Sequence, residues 1–156
     1  TRYWRDWSSD VCSSDLSAVM QDGWTIRDAS DTLRNNRSIV ISAVKQEGFV
    51  LKYASDELRN DEQVVMTAVK SNIFSFLDAS ESLRNNVDFL LKCTEEVGAH
   101  FLGAEWYRES IVPLEWKDDF EFMVRAVKLN RECFQHASDR LKNDEQFQWE
   151  VAQLDN

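Results

Sequence analysis

The chain has 156 residues, 43% of them hydrophobic and 29% charged, and its 28 Asp and Glu against 18 Lys and Arg set a formal net charge of −10. A chain this acidic repels the phosphate backbone instead of releasing its counterions, so no nucleic acid and no anionic membrane surface is expected as a partner. No apolar run approaches the roughly 18 residues of a membrane span, and the length suffices for one domain-sized body.

In chain order, the first segment is Thr1 to Leu16, TRYWRDWSSDVCSSDL, which from Asp6 onward resembles, codon for codon, a translated sequencing adapter. Residues 1–16 are therefore expected to be a non-native, adapter-derived segment and are set aside. The natural chain is expected to begin near Ser17, its native N-terminus and any targeting signal lying upstream. Without Cys12, only Cys93 and Cys133 remain, too few for a disulfide framework. A reducing, cytoplasmic setting is the expectation.

From Ser17 a pattern returns every 25 residues. Ala29-Ser30, Ala54-Ser55 and Ala79-Ser80 keep that interval, as do Ala43-Val44-Lys45 and Ala68-Val69-Lys70, and Leu33-Arg34-Asn35, Leu58-Arg59-Asn60 and Leu83-Arg84-Asn85. Such a period marks units that bury an apolar face only against their neighbours. The expected fold is all-α: tandem helix-turn-helix repeats of about 25 residues stacked as a short α-solenoid. One helical repeat array over 17–156 follows, with units near 17–36, 37–61, 62–86, an irregular 87–117, 118–144 and a half unit 145–156.

One unit shows the logic. Asp61 is an N-cap, Glu62 puts negative charge in the first turn, Val64, Val65, Ala68 and Val69 share a face, and Lys70 sits near the end: a short first helix. Gly48 and Gly23 at the following break suggest left-handed helix closure. Phe74, Phe76, Leu77, Ala79, Ser80 and Leu83 then read as one second helix, with Asn85 as a left-handed cap and Asn86 as the next N-cap. The Ala-Ser pair inside that helix suggests close approach between neighbouring helices.

The pattern of Asn60-Asp61, Val64-Val65, Ala68-Val69-Lys70, Ala79-Ser80 and Leu83-Arg84-Asn85 resembles the repeats catalogued as domain of unknown function 4116, over most of Ser17 to Leu154. The resemblance implies tandem short-helix repeats and brings no activity and no functional residues.

The fourth unit departs. Ala104 keeps the register, but Glu105 replaces the serine, and Ala104 to Ala137 spans 33 positions, eight more than one period. The extra residues are expected around Ser110 to Lys117, in a loop flanked by Trp106, Tyr107 and Trp116. Insertions in repeat arrays go to loops on one face, often the binding face, and Trp and Tyr favour binding hot spots, so these three are candidate partner-binding residues. The bland alternative is that the rings fold back over the irregular junction.

Cys93, His100, Cys133 and His136 are the residue types of a zinc site, but their register favours buried thiols and solvent-facing histidines. No nucleophile-base pair or phosphate loop is visible, so no catalytic residue, metal or cofactor is expected. Two functional classes remain: a non-enzymatic scaffold for an unknown protein or peptide partner, and an accessory array of a larger enzyme or effector. Both ends read as uncapped half-units, so self-association of the isolated chain is expected.

Overall fold

The computed structural model describes residues 13–106 and 109–155. They divide into two compact units, one ending at Ala79 and the other beginning at Ser80. Among the described residues no helix is long and apolar enough to cross a membrane.

The long helices are α1 (Ser13–Gln21), α3 (Arg37–Gln46), α5 (Glu62–Ser71), α7 (Val87–Val97), α10 (Phe120–Leu129) and α12 (Glu145–Ala152). Single helical turns alternate with them: α2 (Asp31–Arg34), α4 (Asp56–Arg59), α6 (Glu81–Arg84), α8 (His100–Gly103), α9 (Leu114–Asp118) and α11 (Asp139–Lys142). The fold is all-α with tandem repeats. α1 takes in Ser13 to Leu16, so residues assigned to the adapter-derived segment extend the long helix of a first repeat. The rest of that segment lies outside the described residues.

The second helix of each regular repeat is not one helix. It is a six-residue 3-10 helix, as at Gly48–Tyr53 and Ile73–Asp78, followed by an extended Ala-Ser step and one α-turn. The serine, not the alanine, explains the pair. Ser30, Ser55, Ser80 and Ser138 are N-caps whose hydroxyls accept the N–H of Leu33, Leu58, Leu83 and Leu141. A short hydroxyl side chain offers the backbone this alternative to continued helix, which is why it breaks the segment that apolar spacing runs together.

Two further expectations are corrected. Asn35, Asn60 and Asn85 have φ near −100°, not the left-handed conformation, because the next helix starts one residue later and the chain has no reversal to make. Gly23 and Gly48 are not left-handed either, Gly98 (φ 105°) being the one glycine that is. Space is their reason. A Cβ on Gly48 would stand 2.6 Å from the Ala68 carbonyl oxygen and 2.6 Å from Ser75 Oγ, and one on Gly23 would stand 2.8 Å from the Ala43 carbonyl oxygen. Each glycine lets one repeat touch the backbone of the next long helix. Side chains there return the favour: Gln46 Oε1 accepts the Gly23 N–H and Ser71 Oγ the Gly48 N–H, both at 3.2 Å.

The N-caps of the long helices follow the expected register. Asn36, Asp61, Asn86, Asp119 and Asp144 each accept backbone N–H groups of the first turn. Two adjacent apolar positions then repeat one turn later, Val64, Val65, Ala68 and Val69 in α5 and Phe122, Met123, Ala126 and Val127 in α10, all buried. In the first unit α3 packs between α1 and α5; in the second, α10 packs against α7 and α12. Helices of about ten residues are marginal alone, so this burial stabilises them.

Gly48→Ala is expected to destabilise the first unit by roughly 1–3 kcal/mol through overpacking against the Ala68 carbonyl, while Glu47→Ala, one exposed residue away, leaves it unchanged. Urea unfolding midpoints of the two variants check this.

Candidate functional site

The irregular repeat is where the structure most changes the reading of the chain. Counted back from the Asp119 cap, Pro113 takes the place of Ser30, Trp116 that of Leu33 and Lys117 that of Arg34. α9 is therefore the regular one-turn helix, and the eight extra residues are 105–112 instead of 110–117. They open with a small antiparallel ladder, β1 (Glu105–Trp106) against β2 (Glu109–Ser110), pairing Glu105 with Ser110 and Trp106 with Glu109. The Ile111 N–H then donates to the Ala104 carbonyl at 3.1 Å. A hairpin whose ends meet lets the repeat resume where it stopped, and Ile111 and Val112 return to the core.

This register decides the surroundings of Trp116. It occupies a core slot that leucine fills elsewhere, half-buried, its ring 5.8 Å from that of buried Phe122 at 49°. Its indole Nε1 is buried and has no hydrogen-bond partner among the described residues. Trp106 lies on β1, where only its backbone is described, and Tyr107 lies outside the described residues.

Local continuity between repeats rests on a side-chain ladder. In the first unit the Ser55 N–H donates to the Arg34 carbonyl (3.1 Å) and its hydroxyl to Asn35 Oδ1 (2.7 Å). In the second unit the Ser138 N–H donates to the Lys117 carbonyl (2.8 Å) and its hydroxyl to the Asp118 carboxylate, which also accepts from Arg140 Nε at 2.9 Å. These bonds hold the Asp118 carboxyl below its ordinary range, the serine hydroxyl contributing most.

Beside the Ser55–Asn35 link, α2, α4 and the segment between them border an open groove of about 980 Å³. Repeat-related residues line it in pairs, Asp31 with Asp56 and Arg34 with Arg59, and Tyr53 and Lys52 complete one wall. Each arginine faces the aspartate three residues earlier, at 3.9 Å and 3.4 Å. Lys52 Nζ stands 5.1 Å from the Tyr53 ring centroid. The sequence shows Arg34 and Arg59 only as part of the recurring Leu-Arg-Asn, and the groove was missed. The recurrence of Asp-x-x-Arg after the Ala-Ser step was the signal that could have found it.

The four residues with zinc-ligand chemistry do not form a site: among the described residues no three His, Cys, Asp or Glu groups are placed to hold a metal. Cys93 and Cys133 are fully buried, and burial, with Glu132 nearby, pushes the Cys133 thiol up to about 11, far from a reactive thiolate.

Comparison with known families matches the chain to the one described as a domain of unknown function (DUF4116), over residues 16–59, 36–84, 61–98, 112–142 and 119–155. The unmatched stretch between 98 and 112 holds the hairpin. No curated protein and no solved structure matches.

Trp116→Ala is expected to destabilise the second unit by roughly 2–4 kcal/mol, as loss of a half-buried core aromatic, whereas Trp149→Ala, at a residue 59% exposed, stays within about 0.5 kcal/mol. Thermal unfolding followed by circular dichroism separates the two.

Proposed function

The chain belongs to the DUF4116 family, and on that premise we propose that it is a non-enzymatic helical repeat scaffold that binds a protein or peptide through the groove of its first unit. The groove itself carries this reading: about 980 Å³ of open, polar surface whose lining repeats with the period of the fold. An extended segment laid along it meets the same Asp and Arg chemistry twice, at Asp31 and Arg34 and again at Asp56 and Arg59. Repeating surfaces of this kind suit extended partners, because each repeat reads one stretch of chain.

Tyr53 is the anchor in this reading. It supplies rigid amphipathic area between the two charged pairs, and Lys52 over its face adds a cation beside it. The aspartates of the two charged pairs are fully exposed and their arginines half-buried, and such pairs are weak in themselves, so a ligand's own charges exchange with the aspartates at little cost.

Selection of linear peptides against the whole chain tests the proposal. Selected peptides are expected to lose affinity at least tenfold (about 1.4 kcal/mol) on Tyr53→Ala and to respond to Lys52→Glu, the latter at an exposed residue and with the thermal midpoint unchanged. Binding indifferent to both substitutions would remove the groove as the site.

A further inference from the structure

The repeat register exposes an exchange of charge in the second unit. In the first unit Arg59 and Asp78, 19 positions apart in consecutive repeats, meet directly: Arg59 Nε donates to the Asp78 carbonyl at 2.7 Å. The half-buried Asp78 carboxyl is pushed up by burial, against the opposing charges of Lys52 and Arg59. The same two positions in the second unit are Lys117 and His136. Both partners are now basic.

The acids that remain nearby, Glu105 on the side of Lys117 and Glu132 on that of His136, act from a distance and do not take the place of Asp78. Neither Lys117 nor His136 makes an ion pair among the described residues, and Asp118, next to Lys117, is committed to Ser138 and Arg140. The imidazole lies against Gly103, where any side chain would collide with its Cε1. His136 Nε2 is buried without a hydrogen-bond partner, and so are Trp116 Nε1, beside Lys117, and Ser110 Oγ, opposite Glu105 in the ladder. Burial depresses the His136 pKa first, the positive charges of Lys117 and Lys142 and the neighbouring His100 adding to it against Glu132. Burial likewise lowers Lys117, against the pull of Glu105.

We propose that Lys117 and His136 form an anion-binding corner that takes a carboxylate or phosphate oxyanion, which supplies the negative charge that Asp78 brings to the regular repeat. The ligand oxygens accept from the Lys117 ammonium and from His136, which takes up a proton on binding so that its ring donates. This site is separate from the groove of the first unit and stands or falls without it.

Proton uptake makes the test direct. His100 and His136 are the only histidines, so their imidazole resonances are followed by NMR in the intact chain, with His100→Gln as the assignment control. The expected result is that inorganic phosphate raises the apparent His136 pKa above its value in chloride of equal ionic strength, by about one unit at ten times the dissociation constant. The depressed pKa means that the folded state loses stability as pH falls from about 6.5 through the folded value, and phosphate is expected to restore stability in that window. Lys117→Met is expected to abolish the phosphate effect and Lys117→Arg to keep it. A His136 pKa equal in phosphate and chloride overturns the proposal, as does a phosphate shift that survives in Lys117→Met; should Lys117→Met unfold, the wild-type comparison alone decides. A tetraglutamate peptide in place of phosphate distinguishes the sources: a larger shift with the peptide assigns the corner to a partner's acidic side chain, and a larger shift with phosphate to a free oxyanion.

Discussion

Every helix among the described residues is short, and what makes short helices workable here is the side-chain N-cap. A helix leaves its first N–H groups unpaired, a loss that weighs most when the element has only one to three turns. Asn36 and Asp61 close the long helices, Ser30 and Ser55 the single turns, and Asp22 and Asn72 the 3-10 helices. Three kinds of element can therefore follow one another within 25 residues without stranding their backbones. The caps also join repeats. Ser55 accepts from Leu58 within its own turn while donating to Asn35 of the repeat before, so one hydroxyl both starts a helix and fixes its neighbour. Asp61 does the same with charge, capping α5 and pairing with Arg37 at 2.9 Å. That pairing holds the Asp61 carboxyl below its ordinary range.

How much of this was legible follows from which signals are local. The long helices were, because an Asn or Asp cap stands three residues ahead of a doubled apolar pair that returns one turn later. The broken second helix was not. Phe74, Phe76 and Leu77 followed by Leu83 fit a helical stripe, and over six residues a three-per-turn and a 3.6-per-turn spacing look alike. Ser80 read as a small packing residue when its hydroxyl was the informative group. The glycines were noticed for the wrong property, since a sequence shows that a position is small but not that a carbonyl from the next repeat lies against it. A ladder of two residues a side leaves no alternation to detect, so the hairpin read as a loop.

The setting of Trp116 depends on the direction of counting. Read forward from Ala104, it falls in extra sequence, as a binding ring or as one folded over the junction; read back from Asp119, it falls in the slot of Leu33, Leu58 and Leu141. The cap was the safer ruler, because it marks a fixed point of geometry that an upstream insertion cannot shift. The same ruler aligns Lys117 with Arg59 and His136 with Asp78, a correspondence that composition conceals.

These constraints also locate where the chain is free to differ from itself. Caps, the doubled apolar pairs and the leucine of the one-turn helix are held by contacts that each repeat must make with the next. The outer residues of the 3-10 helix are not: position 53 carries Tyr, position 78 Asp and position 136 His at one structural address. At Asp78 that address meets the Arg that ends the one-turn helix of the preceding repeat, Arg59 Nε donating to the Asp78 carbonyl at 2.7 Å. Chemistry can therefore change there without disturbing the ladder, since Ser138 bonds Asp118 as Ser55 bonds Asn35. In a fold whose core repeats, binding specificity is best sought at the address that does not, and in this chain an aromatic, an acid and an imidazole occupy it in turn.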